Sequence, residues 1–197
     1  MPNGRLPIVD ATQLPEPWRR LLRPGESLPD ALGRPQRLPR FFFEVPSWDV
    51  AREVELAPNF HLWEFLNVDL REAELARTFP RYVPCAVALL AAHLAVVRQA
   101  VGTTVHLAAN GGYRTPGHAL TRYASPHCWG TAANVVRIGD TWLETREAIE
   151  ETAARIKTLL PAVHVRPYGH GPGETDDHLH IDLGYVEVCP HGFASGA

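Results

Sequence analysis

Hydrophobic and polar positions along this chain change period several times, and those changes lay out its elements. Between residues 84 and 101, Val87, Leu90, Ala91, Leu94 and Val97 recur at three- and four-residue intervals, one apolar stripe on a helix that Gly102 ends. Pro84 suits the first turn of that helix, where a missing N–H costs nothing. A second helix is expected over about 144–160. Ile149, Ala153, Ile156 and Leu160 share one side of it, while Glu144, Glu147, Glu150 and Glu151 crowd the half where the helix dipole favours negative charge. Shorter runs predict strands over 105–109, 132–136, 163–165 and 178–188, with a hairpin turn at Gly139-Asp140. Residues 60–65 read as a short element, and 70–78 has helical composition.

Residues 1–58 follow a different rule, because they hold more than half of the chain's 18 prolines. Proline fixes φ and removes a donor, so this stretch is expected to be extended, with little helix and one short strand at Phe41–Val45. Trp18, Phe41, Phe42, Phe43 and Trp48 argue that the arm is anchored on the body of the protein, since a solvated tail has no use for large aromatics. The expected organisation is therefore an arm over 1–58, a domain over 59–188 and a tail over 189–197.

Composition narrows the class. With 197 residues and 45% hydrophobic content the chain can bury one core, and it contains no apolar run near the roughly 20 residues of a membrane helix. A net charge of −3 gives no electrostatic reason to expect nucleic acid as a partner. Three scattered cysteines make no disulfide framework and point to a reducing compartment. The N-terminus lacks the basic and apolar regions of a secretory signal, so a cytoplasmic product is expected, and a monomer.

Two stretches carry chemistry. Ser125-Pro-His127-Cys-Trp-Gly130-Thr-Ala-Ala-Asn134 offers an imidazole in a loop and a carboxamide on the strand that follows. In Asp177-His178-Leu-His180-Ile-Asp182, period 2 puts His178, His180 and Asp182 on one face and Leu179, Ile181 and Leu183 in the core. Because the imidazoles lie about fifty residues apart, only the fold can bring them to one metal. Sharing it requires side chains within about 8 Å of one another, given zinc–nitrogen bonds of about 2.0–2.1 Å. Arg114, delivered by the turn Asn110-Gly111-Gly112, is a candidate for holding a carboxylate or an oxyanion through paired hydrogen bonds. His93 reads as an ordinary helix residue, His191 as part of a frayed tail, and Gly169–Gly173 as a loop with no phosphate motif.

The motifs Ser125-x-His127-x-x-Gly130-x-Ala132-x-Asn134 and Asp177-x-x-His180, with Gly112-Tyr113-Arg114-Thr115 upstream, resemble the zinc D-alanyl-D-alanine carboxypeptidase and murein endopeptidase family, which includes the hedgehog signalling domain. Asn59-Phe60-His61-Leu62-Trp63-Glu64-Phe65 is similar to an opening found in one branch, so the resemblance spans about 59–185. It implies an α+β fold in which a small antiparallel sheet carries His127, Asn134 and His180 on one face, with the helices packed on the other. It also implies zinc held by His127, Asn134 and His180, Asp177 as proton carrier, and His178 steadying that acid or the oxyanion. Arg114, Ser125 and Tyr113 are then the substrate contacts, and the substrate is a D-Ala-D-Ala-type peptide of peptidoglycan or its precursors. The chain departs from the family at one position, where Asn134 stands in place of a metal-binding aspartate. A carboxamide binds a cation less firmly, so two expectations follow: a zinc peptidase that tolerates Asn134, or a lapsed member that binds cell wall or protein without cutting it.

Overall fold

The proline-rich N-terminal stretch folds into regular elements. The computed structural model describes residues 6–193, so the first five residues of the expected arm and the last four of the expected tail lie outside the described residues. In order come β1 (Ile8–Asp10), α1 (Glu16–Leu22), β2 (Ser27–Pro29), β3 (Pro35–Arg37), β4 (Phe41–Glu44), α2 (Trp48–Glu53) and β5 (Glu55–Ala57). The strand expected at Phe41–Val45 is β4. The expectation of little helix is corrected by α1 and α2. Pro17 stands in the first turn of α1, where proline is harmless, and the Ser47 hydroxyl caps α2 by accepting from Val50 N at 3.2 Å. Here the prolines punctuate elements instead of preventing them.

β5 pairs with β6 (Phe60–His61) across the expected boundary at residue 58, and α3 (Leu62–Phe65) follows at once. Glu64 caps α3 by accepting from His61 N at 2.8 Å. The helical composition of 70–78 yields only the single turn α4 (Glu74–Arg77). β7 (Tyr82–Pro84) then joins β1 and β4 in a three-stranded antiparallel sheet, so the stretch before residue 58 shares a sheet with the chain after it.

Pro84 closes β7 instead of standing in the first turn of the helix, so α5 (Val87–Val101) begins where its apolar stripe begins, three residues later than expected. β8 (Val105–Leu107), β9 (Ala132–Ile138), β10 (Thr141–Trp142), α6 (Arg146–Leu159), β11 (His164–Val165) and β12 (Leu179–Asp182) complete the body. β9 pairs with β8, β10 and β12, and β11 lies beyond β12, all antiparallel. The expected strand over 178–188 is only four residues long, because Gly184 turns the chain away after Asp182.

The fold is thus α+β, with small antiparallel sheets and several helices. Alternation sorts the faces of the larger sheet as its sequence requires. Ala133, Val135, Leu179 and Ile181 enter one core with the stripe of α5 and with Ile149, Ala153 and Ile156 of α6. The polar alternates, Asn134 and His180, are directly paired across β9 and β12 and face a cleft instead.

Candidate functional site

The cleft, about 560 Å³, is lined by Arg114, Ser125, His127, Asn134, Asp177, His178 and His180 among others. Each is placed by local chemistry. Pro126 starts a short 3-10 turn, Pro126–Trp129, that carries His127, and Gly130 ends it in the left-handed region at φ 68, where a side chain would be strained. A second small core holds this turn from behind. Trp129 packs on Tyr185 with ring centroids 4.9 Å apart, and its indole donates to Arg37 O at 3.1 Å, which ties the turn to β3. The β2 strand also reaches it, through Ala124 N donating to Pro29 O at 2.8 Å. The N-terminal stretch therefore helps to build the cleft, and Ala31 is part of its wall.

His127 and His180 come together with ring centroids 5.1 Å apart, inside the limit for a shared metal. Both imidazoles are buried, and each has an outer partner that fixes its proton. His127 Nδ1 donates to Gly112 O at 2.7 Å, leaving a lone pair on Nε2. His180 Nε2 lies 2.9 Å from Asp182 Oδ2, and Nδ1 lies 2.9 Å from Asn134 Oδ1. Outer hydrogen bonds of this kind hold metal-ligating histidines in their tautomer.

His180 cannot donate from both nitrogens unless it is charged, and it is not. Burial pushes it down to about 4, against the pull of the Asp182 carboxylate. Burial raises Asp182 as well, but hydrogen bonds from His180 and from Gly184 N outweigh this and keep its carboxyl below the usual range. The single ring proton therefore goes to Asp182, and His180 Nδ1 turns a lone pair toward the Asn134 side-chain oxygen. Two acceptors so close repel. A cation between them resolves the conflict; so does a half-turn of the Asn134 amide, which presents an N–H to the ring. Among the described residues no three His, Cys, Asp or Glu side chains group as a metal site. The groups here that could hold a cation are the two imidazoles and the Asn134 carboxamide, a set weaker by one negative charge than one with a carboxylate.

Both imidazoles make the metal-free protein sensitive to acid. Burial also drives His127 far below its ordinary value, with Arg114 and His180 adding to the effect. An unfolded chain binds protons on histidine near the ordinary value of 6.5, while folded His180 waits until about 4, so the unfolded state gains protons first as the pH falls. Stability is therefore expected to drop from about pH 6.5 toward about pH 4. Urea unfolding of chelator-treated protein across that range checks this, and a His180→Gln variant should show a shallower slope.

Arg114 is half-buried at the cleft wall. Its Nε donates to Asn110 O at 2.9 Å, and burial pulls the guanidinium down to about 10, so it stays charged at neutral pH. Asp177 stands exposed at the rim and accepts from His178 Nδ1 at 2.5 Å. Tyr113, one residue before Arg114, does not line the cleft. Its ring is 1% exposed in the core, pinned there by Tyr113 N donating to Phe65 O at 2.8 Å.

Three site features escaped the sequence reading. Glu72, 3% exposed, accepts from Thr115 N at 3.0 Å and from Thr115 Oγ1 at 2.5 Å, which anchors the turn carrying Arg114. Gly112 supplies the carbonyl that orients His127. Arg166 lines the cleft beside His180, and its signal was available: extending the alternation of Val163 and Val165 by one residue puts Arg166 on the face away from the core. Compared with family models, curated proteins and solved structures, the chain matches none.

Proposed function

We propose that this chain is a zinc-dependent peptidase similar to the D-alanyl-D-alanine carboxypeptidases, with the hedgehog-like arrangement of that family, and that it acts on a D-amino-acid-containing peptide of peptidoglycan or its precursors. The observation that carries this reading is that the His127 and His180 rings and the Asn134 side chain come together in one cleft with Arg114 and Asp177. His127, His180 and Asn134 would hold the metal. When bound, zinc supplies a Lewis acid and brings a water's pKa toward about 7.

The chain's own groups do the rest. Arg114, fixed through Nε, keeps its terminal N–H groups for the substrate carboxylate, and Ser125 lines the same wall. Asp177, open to solvent and oriented by His178, accepts a proton from the attacking water and returns it to the leaving amine. The 3-10 turn that carries His127 and the cleft face of β12 that carries His180 hold the two imidazoles at fixed separation, so little reorganisation accompanies the reaction.

A specific observation favours the second reading, a lapsed member that binds without cutting. Asn134 can satisfy His180 by its own N–H in the absence of any metal, which an aspartate cannot do. Hydrolysis of a peptide ending in D-Ala-D-Ala, followed with and without chelator, separates the two. Chelator-sensitive cleavage is the outcome of the first; binding without cleavage at any zinc concentration is the outcome of the second. Arg114→Lys is expected to cut turnover by roughly tenfold or more, because a lysine cannot reproduce the paired hydrogen bonds, while zinc content is unchanged. Equal turnover in that variant would remove Arg114 from the site.

A further inference from the structure

Two guanidinium groups line the cleft without an ion-pair partner among the described residues, Arg114 and Arg166. A third, Arg71, is satisfied by Asp69 at 2.5 Å. Each free cation stands next to one imidazole residue: Arg114 N donates to His127 O at 3.3 Å, and Arg166 N donates to His180 O at 3.1 Å. The register agrees. His164 faces Asp182 and Val165 faces Ile181, so Arg166 continues the β11 line opposite His180, on the cleft side. The acids nearby are already engaged. Asp182 holds His180, Asp177 holds His178, and Glu174 accepts from Gly171 N at 2.8 Å.

Half-buried, unpaired guanidinium groups are costly to keep, and their fork of N–H donors matches a carboxylate. One such group suffices for a C-terminal carboxylate. The second needs its own anion. We propose that Arg166 is a second carboxylate-recognising residue, so that the cleft selects peptides bearing an acidic side chain near their free C-terminus. This rests on the peptide reading of the cleft, but not on a bound metal or on cleavage.

The test uses chelator-treated full-length protein, in which zinc-dependent turnover is suppressed, and two N-acetylated probes ending in D-alanyl-D-alanine. One has D-glutamate immediately before the dipeptide and the other D-glutamine. Calorimetry should show the glutamyl peptide binding roughly tenfold tighter, as expected for one charge-assisted contact. In Arg166→Gln that preference should vanish, with affinity for the glutaminyl peptide kept within about twofold. Arg166→Lys should retain part of the preference and shows that the site is still folded. Equal binding of the two peptides by wild type, equal losses for both in Arg166→Gln, or tighter binding of inorganic phosphate than of either peptide would overturn the proposal. Cleavage is read separately on zinc-loaded protein. Cleavage without the preference removes the role of Arg166 alone, and the preference without cleavage removes the peptidase reading alone.

Discussion

Asn134→Asp is expected to tighten zinc binding by at least about tenfold and to destabilise the metal-free protein by about 1–3 kcal/mol, two effects of opposite sign from one change of charge. The position is 7% exposed and lies against His180 Nδ1, whose partner nitrogen is committed to Asp182. A carboxamide meets the Nδ1 lone pair with an N–H when no metal is present. A carboxylate has no proton to give, so without zinc it must either face that lone pair or draw a proton onto His180, whose burial opposes charging. With zinc, the added negative charge would offset one of the cation's two positive charges at contact distance. Competition with a chelator measures the first effect, and denaturant unfolding with and without zinc measures the second. Unchanged affinity would mean that Asn134 is not a ligand; unchanged metal-free stability would sink the amide contact with His180.

Gly112→Ala is expected to cost about 3 kcal/mol of stability and to loosen zinc binding along with it. A Cβ at Gly112 would fall 2.4 Å from Phe65 O and 2.7 Å from Phe65 Cα, both backbone atoms that cannot step aside. Gly112 must move, and its carbonyl is the acceptor that fixes the His127 ring. The comparison is Gly192→Ala, where nothing lies within 4 Å and no effect is expected. Thermal unfolding and chelator competition on both variants check this. A stable Gly112→Ala protein with normal zinc affinity would show that the Phe65 contact is not what places His127.

How much of this was legible in the sequence depends on which physics sets each part. Strand parity is local, so the division of Ala133 and Val135 from Asn134, and of Leu179 and Ile181 from His180, could be read from period 2 alone. The stripes of α5 and α6 were equally plain. Cross-strand register is not local. That His180 stands opposite Asn134 follows only once β12 is docked on β9. Tyr113 and Arg114 show the same limit. Adjacent in one turn, they diverge because a single backbone hydrogen bond to Phe65 drives the tyrosine into the core and leaves the arginine outside. Glu72 was invisible because its partner is 43 residues away, and nothing in its own neighbourhood marks a carboxylate for burial. The helices of the N-terminal stretch are hidden for another reason: proline reads as a breaker, yet Pro17 and Pro46 stand where helices begin.

The most direct test of the metal-centred reading is a zinc titration of metal-free wild-type protein, followed by nitrogen NMR of the imidazole rings. One zinc per chain should shift the His127 Nε2 and His180 Nδ1 signals together, leave His127 Nδ1 and His180 Nε2 protonated on Gly112 and Asp182, and switch on cleavage of a D-Ala-D-Ala peptide at the same stoichiometry. Zinc that leaves both ring nitrogens unshifted, or that binds without moving His180 Nδ1 from its contact with Asn134, would contradict it.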